Sequence, residues 1–333
     1  MPCPANIRVN VTASDSATVT FMNVPISVFG GAVTNVPPAA AAAGYNTQTF
    51  QSGFTAANID SGLTYTSGYK WYKSNFYGFN PNTTLTAYGD GSASLALLDT
   101  NWLANQHWST AGISGSNWVG MWFGGGAYFE AELTFNGPAV DTNNGFPAFW
   151  LECFEHVNAS LGLVPNDQWP GQASGYAHFS EIDILEYLSP SGIANSANQW
   201  TGAIIDWYGT STCTGGATPF YCNQHHTHWL PMQYIDYTNT THKFGFLWKV
   251  ATPSSPGSAT WYIDGMIVGY DEWDQYTGQP PVPPPNIGTP RNWTYGIIDQ
   301  QHFAIILGTG HEASMRVNNV RVFQASSNNN LIR

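Results

Sequence analysis

The stretch His178-Phe179-Ser180-Glu181-Ile182-Asp183-Ile184-Leu185-Glu186-Tyr187 decides how the rest of the chain is read. Three acids stand among branched and aromatic residues of strand type. In a regular strand, residues i and i+2 share a face, so Glu181 and Asp183 point the same way. Glu186 is at i+5 from Glu181, and parity puts it on the opposite face. One extra residue, inserted as a β-bulge near Ile184–Leu185, brings all three acids to one side. Bulges re-aim side chains and are over-represented beside active sites.

Outward from this strand the same texture continues. Short alternating segments (SASLALLD, AYFEAELTF, FPAFWLECF, KFGFLWKV, ATWYIDGMIVGY, FAIILGTG, MRVNNVRVFQ) are separated by Gly, Pro, Asn and Asp turns. Amphipathic helical periodicity is almost absent, which predicts an all-β antiparallel sandwich or barrel. Residues 1–45 read as a β-rich N-terminal segment of unassigned role, ending in a Pro-Pro-Ala5-Gly stretch too short and too Pro-flanked to predict a helix. Residues 46–326 form the sandwich, and 327–333 a polar tail. The Pro-rich 275–292 reads as a stiff loop over an edge or cleft.

Nine Lys plus Arg face 21 Asp plus Glu, a formal net charge of −12. Phosphate neutralisation needs clustered cations, so nucleic acid is not an expected partner, and neither are anionic membranes or heavily sulfated polymers. A neutral substrate fits best, and the chain is expected to be a monomer. No uninterrupted apolar run reaches the ~18 residues of a membrane span. The 14 Trp, 17 Tyr and 18 Phe exceed the needs of a core, and aromatic rings are platforms for the apolar faces of sugars as well as core fillers. Of four cysteines, Cys213 and Cys222 bracket a turn and can close a short disulfide, while Cys153 in an apolar strand reads as an inert buried thiol. Secretion is the expectation, with no signal peptide within this chain.

Three neighbouring acids cost repulsion and desolvation unless chemistry needs them. Two-carboxylate sugar chemistry does: one carboxylate stays ionised as nucleophile, and its neighbour, its pKa raised by the like charge, donates a proton to the leaving oxygen. Asp183, between them, can share a hydrogen bond with the nucleophile. On a flat strand, same-face residues four apart lie ~13 Å apart at their backbones. A retaining pair needs about 5–5.5 Å between carboxyl groups, so sheet curvature and leaning side chains must close the gap. An acidic solvent face would mix in Lys, and a calcium loop would be rich in Asp, Asn and Gly; this segment does neither.

With these residues in view, the chain resembles glycoside hydrolase family 16. Glu181-Ile182-Asp183-Ile184-Leu185-Glu186 is similar to that family's bulged E-x-D-x-x-E signature. Gly125–Ala131 resembles its Y-G-x-F-E-A strand, Gly145–Trp150 its W-P-A-F-W segment, Trp261–Gly265 its F-Y-x-D-G strand, and Met315–Phe323 its closing V-D-Y-V-R-V-Y. The resemblance covers roughly residues 60–324. It implies a jelly-roll β-sandwich of the concanavalin type with a concave substrate groove, and endo-acting, retaining hydrolysis or transglycosylation. It implies Glu181 as nucleophile, Asp183 as its helper and Glu186 as acid/base, with Trp150 flooring the subsite next to the cut. Trp122, Trp207, His178 and His228 join Trp150 as candidate substrate-binding residues. No cofactor is expected. A structural calcium is in doubt, because Asn318 stands in place of an Asp. Glu132 stands where a basic residue is usual, and 152–180 reads as a long insertion.

In that family the bulged form accompanies β-1,3-glucanases and the agarose, porphyran and carrageenan enzymes. A neutral β-1,3-glucan leads as substrate, with agarose or another β-galactan behind it. His225, His226 and His228 tempt a metal reading, but no matching Cys or carboxylate pair recurs nearby, which favours a polar loop. The rival from another class is a binding-only sandwich, which has no use for three stacked acids.

Overall fold

A computed structural model describes residues 36–75, 83–97, 106–135, 148–160, 176–186, 200–210, 223–226, 240–275, 293–309 and 314–333. The chain divides into two compact units, 1–35 and 36–333, and all described residues belong to the second.

That unit is a two-sheet antiparallel β-sandwich of the jelly-roll class. Its strands begin with β1 (Thr47–Ser52), β2 (Tyr72–Lys73), β3 (Thr83–Ala87), β4 (Ser92–Leu97), β5 (Gln106–Ser109) and β6 (Ala111–Ser114). They continue through β7 (Asn117–Gly124), β8 (Ala127–Phe135), β9 (Ala148–Cys153), β10 (Tyr176–Glu186), β11 (Thr201–Thr210) and β12 (Asn223–His226). The last are β13 (Thr241–Lys249), β14 (Gly257–Ile263), β15 (Met266–Trp273), β16 (His302–Thr309), β17 (Ser314–Gln324) and β18 (Leu331–Ile332). One sheet runs β15-β14-β13-β8-β17-β4-β3, with β1 added on β17. The other runs β12-β11-β10-β9-β16-β5-β2, and β7 joins it through β16, carrying β6 and β18.

Strand alternation explains the core. Phe129, Ala131 and Leu133 of β8 point inward, as do Phe149, Leu151 and Cys153 of β9, all fully buried. Trp71, Trp200, Trp248, Trp261 and Trp273 are buried in the same cluster. Each such ring removes about 150–250 Å² from water, so among the described residues these aromatics serve the core.

Four features were not announced by the sequence pattern. Residues 38–42 do form a short helix, α1 (Pro38–Ala42), because Pro sits in its first turn, where a missing N–H costs nothing. Ala40 and Tyr45 pack with Tyr128, Leu247 and Phe323, and the Tyr45 hydroxyl donates to the Trp248 carbonyl at 2.9 Å, so residues 36–45 belong to the sandwich unit. The polar tail ends in β18, which pairs Leu331 with Trp122 and Ile332 with Met121 of β7. The segment after β9 opens with a helix, α2 (Phe154–Ser160), whose Phe154 and Val157 cover Trp122 and Ala304.

On the far side of the first sheet, buried Glu130 pairs with Arg321 and lies 3.8 Å from Lys243, which is also 3.7 Å from Glu132. The unusual acid at 132 therefore has a cation from the neighbouring strand. Among the described residues no helix is long and apolar enough to cross a membrane.

Candidate active site

The acidic strand β10 lies inside the second sheet, between β9 and β11. Against β11, Asp183 pairs with Ala203 and Glu186 with Thr201, and the register shifts between them. Against β9, Asp183 pairs with Trp150, Leu185 with Phe149 and Glu186 with Ala148, with the shift between Asp183 and Leu185. Ile184 is thus the extra residue, and the bulge stands where the sequence placed it. Ile182 and Leu185 fall opposite Leu151 and Phe149 and enter the core with them. Asp183 and Glu186 take the other face, opposite Trp150 and Ala148. Glu181, two residues before Asp183, shares that face.

A bulge frees backbone groups from the ladder, and buried carbonyls must find donors elsewhere. Two indoles supply them. Trp261 of β14, in the opposite sheet, donates its Nε1–H to the Asp183 carbonyl at 2.9 Å. Trp200, just before β11, donates to the Ile184 carbonyl at 2.9 Å. A Cβ on Gly202 would lie 2.3 Å from the Trp200 ring and 2.9 Å from that of Trp261, so glycine is what lets both rings under the bulge. Midway along the strand, the Ser180 N–H donates to Gln301 Oε1 at 3.0 Å.

Charge crowding divides the acids. Asp183 is buried, and its Oδ2 has no hydrogen-bond partner among the described residues. Burial, then the charges of Glu186, Glu181 and Glu152, push its carboxyl well above the usual range. Glu186 is half-buried; burial and the Glu181 charge raise it to about 8. Near neutrality Glu186 therefore holds a proton, as a general acid must.

Trp150 lies opposite Asp183 on the same face, 5% exposed, packed with Ala148 and Ile306. The His107 ring of β5 meets it edge-on at 5.2 Å between centroids. Burial lowers His107 to about 4, so its imidazole is neutral over the ordinary working range. Trp122 is corrected: it is fully buried, edge-on to Phe154 at 5.2 Å beneath α2, and cannot meet a substrate. Trp207 and His178 occupy β11 and β10, where Phe179 pairs with Trp207 and His178 with Tyr208; their side chains lie outside the described residues. His228, Cys213, Cys222 and most of 275–292 also lie outside them.

Sequence reasoning passed over Glu152 and His107. Glu152 had a signal: it is the one acid in the apolar run Phe149–Cys153, all of which is buried. His107 had none. Cys153 is a buried free thiol whose Sγ lies 3.3 Å from Glu155 Oε2, and burial pushes its pKa up. Among the described residues no group of three or more His, Cys, Asp or Glu could hold a metal ion.

No family model matches the chain. No curated protein matches it either. Among solved structures the chain is similar to several at low identity. An endo-1,3-β-glucanase from Streptomyces sioyaensis is 19% identical, over 86% of this chain and 97% of that chain, with a TM-score of 0.38. A β-agarase B from Zobellia galactanivorans is 12% identical, over 79% and 86%, with a TM-score of 0.42. The globular domain of T. cruzi calreticulin is 9% identical, over 83% and 87%, with a TM-score of 0.40.

Proposed function

We propose that this protein is a secreted, retaining endo-glycosidase acting on a neutral polysaccharide, a β-1,3-glucan first among the candidates. The observation that carries the reading is the bulge at Ile184, which sets Glu181, Asp183 and Glu186 on one face while Ile182 and Leu185 fill the core.

In the first step Glu181 attacks the anomeric carbon as a carboxylate, and the glycosidic C–O bond breaks as Glu186 gives its proton to the leaving oxygen. The product is a glycosyl ester on Glu181. That ester is uncharged, so the influence that raises Glu186 is gone and its pKa falls. Glu186 can then take a proton from water, whose oxygen attacks the anomeric carbon and releases Glu181. A sugar hydroxyl in place of water gives transglycosylation by the same route. Asp183, holding a proton, is suited to donate to Glu181. Trp150, nearly buried, is proposed as a wall of the adjoining subsite rather than an open platform, with Trp207, His178 and His228 as further substrate contacts. The scarcity of cations supports a neutral polymer.

The test is reducing-sugar release from laminarin, mixed-linkage glucan, agarose, xyloglucan and carrageenan, with Glu181→Gln beside the wild type. Release from one polymer, lost in the variant, supports the reading. Binding without release points to a lectin-like protein.

A further inference from the structure

Away from the acidic strand, a cavity of about 320 Å³ is lined by β1 of the first sheet, by β7 and β18 of the second, and by the segment Gly68–Lys70. None of its lining residues comes from β9, β10 or β11. Its floor is Phe50 and Met121, both packed on the core. Phe50 is held edge-on by Trp71 at 6.1 Å and Phe123 at 5.7 Å between centroids. Around this floor stand Gln51, Tyr69, Lys70 and Arg333. The Gln51 Oε1 accepts from Gln48 Nε2 at 2.7 Å, which leaves the Gln51 NH₂ as the polar group on offer. Lys70 donates to the Gln51 carbonyl, and its ammonium lies over the Phe50 ring, 5.8 Å from the centroid. Arg333 is tied to Gly120 by backbone bonds in both directions, 2.8 and 2.9 Å, with its guanidinium over Trp118 at 5.1 Å.

The charge of this lining runs against that of the chain. The sequence has 21 acids against nine cations, and Arg316, Arg321 and Lys243 each lie beside carboxylates. Two cations line the cavity and no Asp or Glu does. Among the described residues neither Lys70 nor Arg333 is in an ion pair. An ammonium carries three N–H donors and a guanidinium five, so this side of the cavity is rich in donors that an anion satisfies best. The volume stands at the lower end of the range of about 300–1,000 Å³ usual for ligand sites, which suits one ring and its substituents. An aromatic and thioether floor suits the apolar C–H face of a sugar ring. We propose that this cavity binds a uronate, a sugar ring bearing a carboxylate, with the anion toward Lys70 and Arg333, the ring on Phe50 and Met121, and its hydroxyls toward Gln51 and Tyr69. An inorganic anion would use the cations and leave the floor idle. A neutral sugar would use the floor and leave the cations without a counter-charge. The site lies outside the proposed reaction and does not depend on it.

The experiment is isothermal titration calorimetry of the whole protein with sodium D-glucuronate, with D-glucose and sodium sulfate as comparison ligands. Glucose has a hydroxymethyl group where glucuronate has its carboxylate, and sulfate has the charge without the ring. Glucuronate should bind about tenfold tighter, or more, than either. Lys70→Gln and Arg333→Gln should each weaken it by about tenfold. Lys70 is half-buried and Arg333 exposed, so both variants should keep the wild-type melting temperature, which is measured beside the titration. Glucose binding as tightly as glucuronate would overturn the role of the cations. Sulfate binding as tightly would reduce the cavity to an adventitious ion site and overturn the sugar. Absence of glucuronate binding, or an unchanged affinity in either folded variant, overturns the proposal outright. Because no turnover enters the readout, a protein inert on every polysaccharide would sink the glycosidase reading and leave this result standing.

Discussion

The Trp261 indole of one sheet donates its N–H to the Asp183 carbonyl of the other, 2.9 Å away across the sandwich core. The bond ties the bulge to the opposite layer, so the direction in which Asp183 and Glu186 point is fixed from behind. Trp261→Phe keeps the ring and removes the donor, leaving a buried carbonyl unsatisfied. We expect a loss of about 1–3 kcal/mol in urea unfolding and a lower kcat, as the bulge loses its anchor. Wild-type kcat in a destabilised variant would detach the bulge from the anchor.

Gly202→Ala tests the same support from the side. Its Cβ would meet Trp200 at 2.3 Å and Trp261 at 2.9 Å, so both indoles must shift. The variant should lose at least as much stability as Trp261→Phe, read by thermal unfolding. Combined with Trp261→Phe it should lose less than the sum, because the two share one mechanism.

The pH dependence follows from Glu186. Its folded value, about 8, lies above its ordinary 4.5, so the folded state binds this proton more tightly than the unfolded state. The resulting contribution to stability is full below 4.5 and is lost as pH rises through about 8. Activity requiring the acid form should fall over the same upper range. Glu186→Gln should therefore gain stability relative to wild type between about pH 5 and about pH 9, measured by urea midpoints. It should lose turnover of the polysaccharide yet keep residual turnover of substrates with activated leaving groups. Equal losses on both substrates would count against the acid role.

Asp299 collects three donors: Trp248 Nε1 at 2.8 Å, Trp273 Nε1 at 2.8 Å and the Ala251 N–H at 2.9 Å. Asn in its place offers one oxygen and turns an NH₂ toward other N–H groups. Asp299→Asn should lower the melting temperature by several degrees, with about 1–3 kcal/mol for each donor left unpaired.

Much of this was legible in the primary structure. The alternation of FPAFWLECF and SEIDILEYL, with Gly and Asn turns between strands, pointed to an antiparallel sandwich or barrel, and parity showed that a bulge before Glu186 would bring the three acids to one face. What holds the bulge was not legible, because Trp261 is 78 residues from Asp183 and only the stacking of two sheets brings them together. Trp122 was misread for the same reason: its burial depends on α2 and β18, whose placement no local pattern announces. Helix α1 defeated the Pro-flank argument because Pro is tolerated in a first turn. Glu152 was visible as a lone acid in an apolar run, but its meaning needs the register that sets it beside β10.

The central claim is that Glu181 forms the covalent bond to the sugar. The most direct measurement is Glu181→Ala assayed with and without sodium azide on the polysaccharide that the wild type cleaves. Restored cleavage, with a glycosyl azide of inverted anomeric configuration as product, is the predicted result, since the small anion enters the space left by the carboxylate. An inactive variant that azide does not restore, beside a Glu186→Ala variant that azide does restore with inverted configuration, would contradict the account and exchange the two roles.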